Sequence, residues 1–164
     1  MGKAYIGIDP GITGAIGVIA DSLEWVVDVP TYYNPKAERN EYDFFRMYEL
    51  LRDYNSYSYD WCDEGCKLSL EQQQAMPKQG VSSTFHTGRG YGAWEALCWA
   101  TTPNFQIVSP RKWKKALGLT TDKEKSRKLA IKLYPKMEEM LRRKKDHNRA
   151  EALLLAHYTK LEKE

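Results

Sequence analysis

The chain has 164 residues, 42% of them hydrophobic and 29% charged, with a formal net charge of +3. That length suits one domain spanning residues 1–164, and the composition argues against disorder, a collagen repeat or a membrane span, since no stretch reaches the ~18 apolar residues of a transmembrane helix. The charge is uneven: residues 1–104 carry 8 Lys+Arg against 14 Asp+Glu, a net of −6, whereas residues 105–164 carry 17 against 8, a net of +9. An acidic body with a basic last third points to an anionic partner, nucleic acid first, or else to solvated lysine-rich helices. The start Met1-Gly2-Lys3-Ala4-Tyr5-Ile6 runs into a strand pattern instead of a signal-peptide core, so a soluble cytoplasmic protein is expected, with no membrane partner. Cys62, Cys66 and Cys98 are too few for a disulfide framework or a zinc site and read as reduced thiols.

Tyr5-Ile6-Gly7-Ile8-Asp9 reads as a buried strand, which Pro10-Gly11 turns. Ala15–Ala20 and Glu24–Val29 are the next strands. Loops this short cannot hold a crossover helix, so the three form an antiparallel meander. Residues 31–40 read as a polar loop ending at Asn40, an N-cap for a helix whose Phe44, Met47, Tyr48 and Leu51 make one apolar stripe. Asn55 to Cys66 shows no period and reads as loop. Lys67–Glu71 is a fourth strand, parallel to the first after a helical crossover. Gln72 to Gly90 is polar and glycine-rich, and Tyr91, Trp94, Leu97 and Cys98 then repeat at helical spacing. Gly88-Arg89-Gly90-Tyr91-Gly92 lacks the Gly-Lys-Ser/Thr of a P-loop and reads as a flexible entry to the second helix.

Phe105–Val108 is a fifth strand, and Ser109-Pro110 opens a short basic helix, Arg111 to Leu117. Thr121-Asp122-Lys123-Glu124 is a capping-box pattern for a helix running to Tyr134 and stopped by Pro135. Met137 to Lys145 holds a further helical turn or two. The last helix starts near His147 and turns Ala152, Leu153, Leu155 and Ala156 inward. The order β-β-β-α-β-α-β-α-α predicts an α/β fold, a mixed sheet covered by helices.

Asp9 ends the first strand, Glu71 the fourth, and Glu151 lies near the start of the last helix. If the first and fourth strands are neighbours, the three carboxylates converge. Carboxylates gathered this closely repel and take up protons unless a cation holds them. An all-oxygen set suits Mg²⁺ or Mn²⁺, and two such ions roughly 3.5–4 Å apart serve phosphodiester hydrolysis in nucleic acid. Each residue also has a plainer reading. Asp9 before Pro10-Gly11 is a turn residue, Glu71 is a solvated strand end, and Asn148-x-x-Glu151 is itself a capping-box spacing.

Tyr5-Ile6-Gly7-Ile8-Asp9-Pro10-Gly11-Ile12-Thr13-Gly14-Ala15, then Leu70-Glu71-Gln72, then Arg149-Ala150-Glu151-Ala152-Leu153-Leu154-Leu155-Ala156 resemble the three signature blocks of RuvC-type Holliday junction resolvases, in particular the compact, phage-like branch. The likeness spans essentially the whole chain. It implies a ribonuclease H-like fold, a mixed five-stranded sheet flanked by helices, in keeping with the strand order above. It also implies that Asp9, Glu71 and Glu151 bind metal, two Mg²⁺ or Mn²⁺ ions per site. The family's fourth ligand precedes the last carboxylate by three or four residues, where this chain has Asn148 and His147. On a helix both lie within about 60° of Glu151, and Asp146 about 140° away, so Asp146 is a candidate only if it precedes the helix. Where several family members carry a junction-opening aromatic, three positions after the second acid, this chain has Gln74, leaving Met76 or Phe85 for that task.

Lys114 and Lys125 resemble family positions that meet the scissile-strand phosphates. Arg111, Lys112 and Lys115 around Trp113, Arg127 and Lys128 on the next helix, and Arg89 are further DNA-binding candidates or solvated helix faces. The resemblance thus implies a crossover junction endodeoxyribonuclease acting on four-way junctions as a homodimer, its expected interface the helix from Gly92 to Ala100. The rival expectations are a nuclease of broader branched-DNA selectivity (flaps, forks, three-way junctions), a non-catalytic junction binder, and an actin-like phosphotransferase. The last needs two lobes where the chain has length for one.

Overall fold

A computed structural model of the chain describes residues 3–20, 23–61, 66–101 and 105–162. In chain order the elements are β1 (Ala4–Ile8), β2 (Ala15–Ala20), β3 (Leu23–Asp28), β4 (Thr31–Asn34), β5 (Arg39–Tyr42), α1 (Phe44–Trp61), β6 (Cys66–Glu71), α2 (Val81–Thr101), β7 (Phe105–Val108), α3 (Pro110–Ala116), α4 (Lys123–Leu133), α5 (Glu138–Leu141) and α6 (His147–Leu161). Single 3-10 turns, Pro135–Met137 and Lys144–Asp146, flank α5. The main sheet has the order β3-β2-β1-β6-β7. β1, β2 and β3 pair antiparallel, while β6 runs parallel to both β1 and β7.

Period-two alternation divides the core into two layers. Ile6, Ile8, Leu68 and Leu70 pack with Met47 and Leu51 of α1 and with Trp94 and Cys98 of α2. Tyr5, Ile19 and Val108 pack on the other side with Trp113, Ala130 and α6. Every residue of α6 from Ala150 to Ala156 is buried, which fits a helix apolar nearly all round and enclosed between the sheet and α4. No helix among the described residues is long and apolar enough to cross a membrane. Cys66 and Cys98 are buried free thiols, and Cys62 lies outside the described residues.

Five local expectations are corrected. Residues 31–40 are not a plain loop: β4 and β5 pair as a separate hairpin, Thr31 opposite Tyr42, and the Asn34 side chain turns the chain by accepting from the N–H groups of Lys36 (3.0 Å) and Ala37 (3.3 Å). Asn40 therefore sits in a strand, and Asp43 caps α1 instead, accepting from Arg46 N at 3.1 Å. α1 continues through 55–61, where tyrosine and serine offered no apolar period. α2 begins ten residues before Tyr91 and takes the glycine-rich run into the helix. Glycine costs a helix interior about 1 kcal/mol, but at Gly90 a Cβ would fall 2.1 Å from the Tyr42 ring, so close packing of the hairpin requires glycine there. Finally α4 is capped by Asp122, not Thr121, its carboxylate accepting from Glu124 N (2.9 Å) and Lys125 N (3.4 Å).

Candidate active site

The same alternation aims the carboxylates. In β1, Ile6 and Ile8 face α1 and α2, so Tyr5 and Gly7 face α6, and Asp9 follows them one step past the strand end. In β6, Leu68 and Leu70 face α1 and α2, which turns Ser69 and Glu71 to the α6 side, where the Thr159 hydroxyl donates to Ser69 Oγ at 2.6 Å. Ile8 pairs with Leu70, and Asp9 and Glu71 are the next residue on each parallel strand. Gly7 and Gly17 form the floor beneath α6: a Cβ at Gly7 would lie 2.4 Å from Ala152 O and Ala156 N, and one at Gly17 2.5 Å from Leu153 N. That near approach of helix backbone to sheet brings Glu151 to the end of the sheet that carries Asp9 and Glu71.

Protein donors hold each acid. Asp9 Oδ1 accepts from Gly11 N at 3.1 Å while its own N–H donates to Ala15 O at 3.0 Å, so the turn that Pro10-Gly11 makes also fixes the Asp9 carboxylate. Glu71 Oε2 accepts from the indole Nε1 of buried Trp113 at 2.7 Å. Glu151 Oε1 accepts from Lys114 Nζ at 2.8 Å and from the buried Ser126 hydroxyl at 3.1 Å. The capping-box reading of Asn148 and Glu151 therefore fails. The Asn148 amide instead donates to Thr13 O (2.6 Å) and Thr13 Oγ1 (3.2 Å), pinning the loop that carries Asp9. From the far side of that loop the Tyr42 hydroxyl donates to Pro10 O at 3.3 Å.

The acids feel one another. Burial pushes the Asp9 carboxyl up from its ordinary value, outweighing the Gly11 hydrogen bond, and the charge of Glu151 adds to the rise. Burial, then the charge of Asp9, pushes Glu71 up to about 7, against the opposing effect of the Trp113 hydrogen bond. Lys114 lowers both, and Lys123 also lowers Asp9. Burial and Asp9 raise the Tyr42 phenol to about 12, so it stays a donor. Among the described residues no three His, Cys, Asp or Glu side chains already stand around one point at ligand spacing, their oxygens being turned to Trp113, Lys114, Ser126 and Gly11. Oxygen acids that burial and mutual repulsion drive toward protonation nonetheless fit a hard divalent cation, which relieves both penalties.

The remaining candidates divide. Asp146 precedes α6, and there Arg143 holds both its oxygens, at 2.8 Å and 2.9 Å, a pairing that keeps its carboxyl below the usual range. His147 Nδ1 donates to Lys144 O (3.0 Å), and its Nε2 lies 2.8 Å from Lys123 Nζ. With Nδ1 donating to the carbonyl, the neutral ring offers Nε2 as acceptor to the ammonium. Lys112 pairs with Glu162 at 2.7 Å. Arg127 binds Glu124 at 2.6 Å and the Leu141 and Arg142 carbonyls at 2.9 Å, which bolts α4 to the segment before α6. Arg89 reaches buried Glu41 of the hairpin at 3.1 Å and covers the Phe44 ring, so it fastens β5 to α2 and is not part of a phosphate loop. Arg111, Lys115, Lys125 and Lys128 are exposed on α3 and α4. Met76 and Phe85 are exposed, 60% and 72%, on the segment that follows β6 and enters α2. Trp113, Ser126 and Lys123 escaped sequence reasoning as site residues. Only the placement of Trp113 beside Lys114, after a Ser-Pro helix start, hinted at the first.

No protein-family model matches the chain. A curated relative, the chloroplastic Holliday junction resolvase MOC1 of Chlamydomonas reinhardtii, is 35% identical over 91 residues, which is 53% of this chain and 10% of that protein. The match thus spans about a tenth of that relative's length. Among solved structures, Thermus thermophilus RuvC superposes with a TM-score of 0.58 at 18% identity, covering 97% of this chain and 96% of that one. T. thermophilus RuvC in complex with a Holliday junction substrate gives 0.55 at 19% identity, covering 95% and 91%. With its five-stranded mixed sheet flanked by helices, the chain has the ribonuclease H-like fold of RuvC.

Proposed function

We propose that this chain is a divalent-metal-dependent endonuclease that resolves four-way DNA junctions by phosphodiester hydrolysis. The observation that carries the proposal is the convergence of Asp9, Glu71 and Glu151, from β1, β6 and α6, on one end of a RuvC-type sheet with Lys114 against them. Asp9, Glu71 and Glu151 would hold Mg²⁺ or Mn²⁺, two ions in the full site. Metal bound there supplies Lewis-acid activation of water and of the scissile phosphate. Lys114, only 16% exposed, sets a positive charge where a phosphate approaches the acids. Tyr42 and Asn148 hold the Asp9 loop from opposite sides through Pro10 and Thr13. Arg111, Lys115, Lys125 and Lys128 offer cations to the flanking backbone phosphates.

A four-way junction has two-fold symmetry, so paired cuts need two such sites, and the reading includes an isologous homodimer. Cleavage of a synthetic junction with Mg²⁺ and with Mn²⁺ tests it. Asp9→Asn and Glu71→Gln should each abolish cutting while junction binding persists. Unchanged cutting by either variant rejects the site, and binding without cutting by the unsubstituted chain in both metals shows a non-catalytic junction binder.

A further inference from the structure

We infer that Trp113 is a positioning residue for Glu71, its indole N–H fixing how that carboxylate presents its oxygens to a bound divalent cation. The inference rests on the metal-site reading above and extends it to a residue that touches no metal. Trp113 is fully buried, packed in the layer that holds Val108, Ala130 and α6. Its side chain has one polar group, a donor, and that donor lies 2.7 Å from Glu71 Oε2. A rigid ring locked by packing cannot follow a wandering carboxylate, so the bond directs Oε2 to the indole and turns Oε1 away from it.

The donor's neutrality matters. An ammonium in the same place would also orient Glu71, but it would add a second positive charge to that of Lys114 beside an incoming cation, whereas an indole orients the carboxylate without adding charge. The next residue, Lys114, binds Glu151 at 2.8 Å, so two consecutive residues of α3 hold two different acids of the site. α3 is itself seated firmly. Gln72 N donates to Val108 O at 2.9 Å, tying the ends of β6 and β7 together, and Ser109 caps the helix by accepting from Lys112 N at 3.3 Å. The end of β7 thereby sets, through α3, the separation of the acids on β6 and α6.

The test replaces Trp113 with 3-benzothienylalanine, in which sulfur takes the place of the N–H at nearly constant shape, and in parallel makes Trp113→Phe. Mn²⁺ affinity is measured by calorimetry on the DNA-free protein, beside the thermal midpoint. The expected result is a Kd raised about tenfold or more in the isostere, in line with the loss of outer-sphere hydrogen bonds at metal sites, while the metal-free isostere still melts in one cooperative transition. In ¹⁵N spectra of the unsubstituted protein, the indole resonance that disappears in Trp113→Phe should also shift in Glu71→Gln. Equal Mn²⁺ affinity in a folded isostere, or an indole resonance indifferent to Glu71→Gln, overturns the role. The readings separate cleanly: an unsubstituted chain that binds Mn²⁺ but cuts no junction defeats the nuclease proposal, while the isostere's affinity still decides the part played by Trp113.

Discussion

Gly7 of β1 and Gly17 of β2 are cross-strand partners, and together they form the bare floor on which α6 lies. A methyl group at either position would overlap the helix backbone, not a side chain that can turn aside. Gly17→Ala should therefore destabilise the protein by about 1–3 kcal/mol or more, the range of overpacked cores. Because α6 carries Glu151, metal affinity should fall with it. Urea unfolding alongside Mn²⁺ calorimetry checks both effects. A variant of full stability would mean that the helix does not rest on this floor.

Lys114 and Glu151 form a pair with little solvent contact, their side chains 16% and 10% exposed. Among the described residues, Lys114→Ala leaves the carboxylate only the Ser126 hydroxyl, and breaking a buried pair in this way costs on the order of 3–5 kcal/mol. A cation bound beside Glu151 replaces the missing charge, so Mg²⁺ should raise the thermal midpoint of Lys114→Ala by more than that of the unsubstituted protein. Equal Mg²⁺ shifts in the two proteins count against the shared site.

The raised Glu71 carboxyl should make metal binding at the proposed site pH-dependent. In the metal-free fold Glu71 keeps its proton to about 7, whereas in the unfolded chain it releases it near its ordinary 4.5. The native state thus binds more protons across that window, and Glu71 makes the metal-free protein less stable as pH rises through it. Metal must displace the proton, so affinity should weaken below about pH 7 and binding should release protons there. Calorimetry at pH 6 and pH 8 in buffers of different ionisation enthalpy reads this release, and none at pH 6 contradicts it.

The basic residues should separate by whether the fold already uses them. Lys115 and Lys128 are exposed, whereas Arg127 and Arg89 are engaged with Glu124 and Glu41. Lys115→Ala and Lys128→Ala should each weaken junction binding at low salt and reduce the salt slope by about 1, with stability unchanged. Arg89→Ala should instead loosen the hairpin and lower the midpoint. Filter binding over a salt series, with melting curves, distinguishes the two groups.

How much was legible in the sequence follows from how local each signal is. The Asp9-Pro10-Gly11 turn, the Glu71 strand end and the apolar α6 around Glu151 are contiguous patterns, so the sheet and its three acids were readable from the residues and their resemblance to RuvC. The partners of those acids were not, because Trp113 lies 42 positions from Glu71 and Ser126 lies 25 from Glu151. The hairpin at 31–42 was missed for a related reason. Its strands are four residues long and mostly exposed, and what places them is Tyr42 filling the notch at Gly90 in α2. The same notch explains why a glycine-rich run is helical here. Asp146 shows the limit of angular reasoning, since it does precede α6 but Arg143 claims it.

The most direct test of the account is to incubate the protein with a synthetic four-way junction labelled on each strand in turn, with Mg²⁺ and with Mn²⁺, and to map every nick. The account predicts paired nicks, symmetric about the branch point and bearing 5′-phosphates, which vanish with Asp9→Asn. Nicks confined to one strand, equal cutting of linear duplex, or cleavage that survives Asp9→Asn would contradict it.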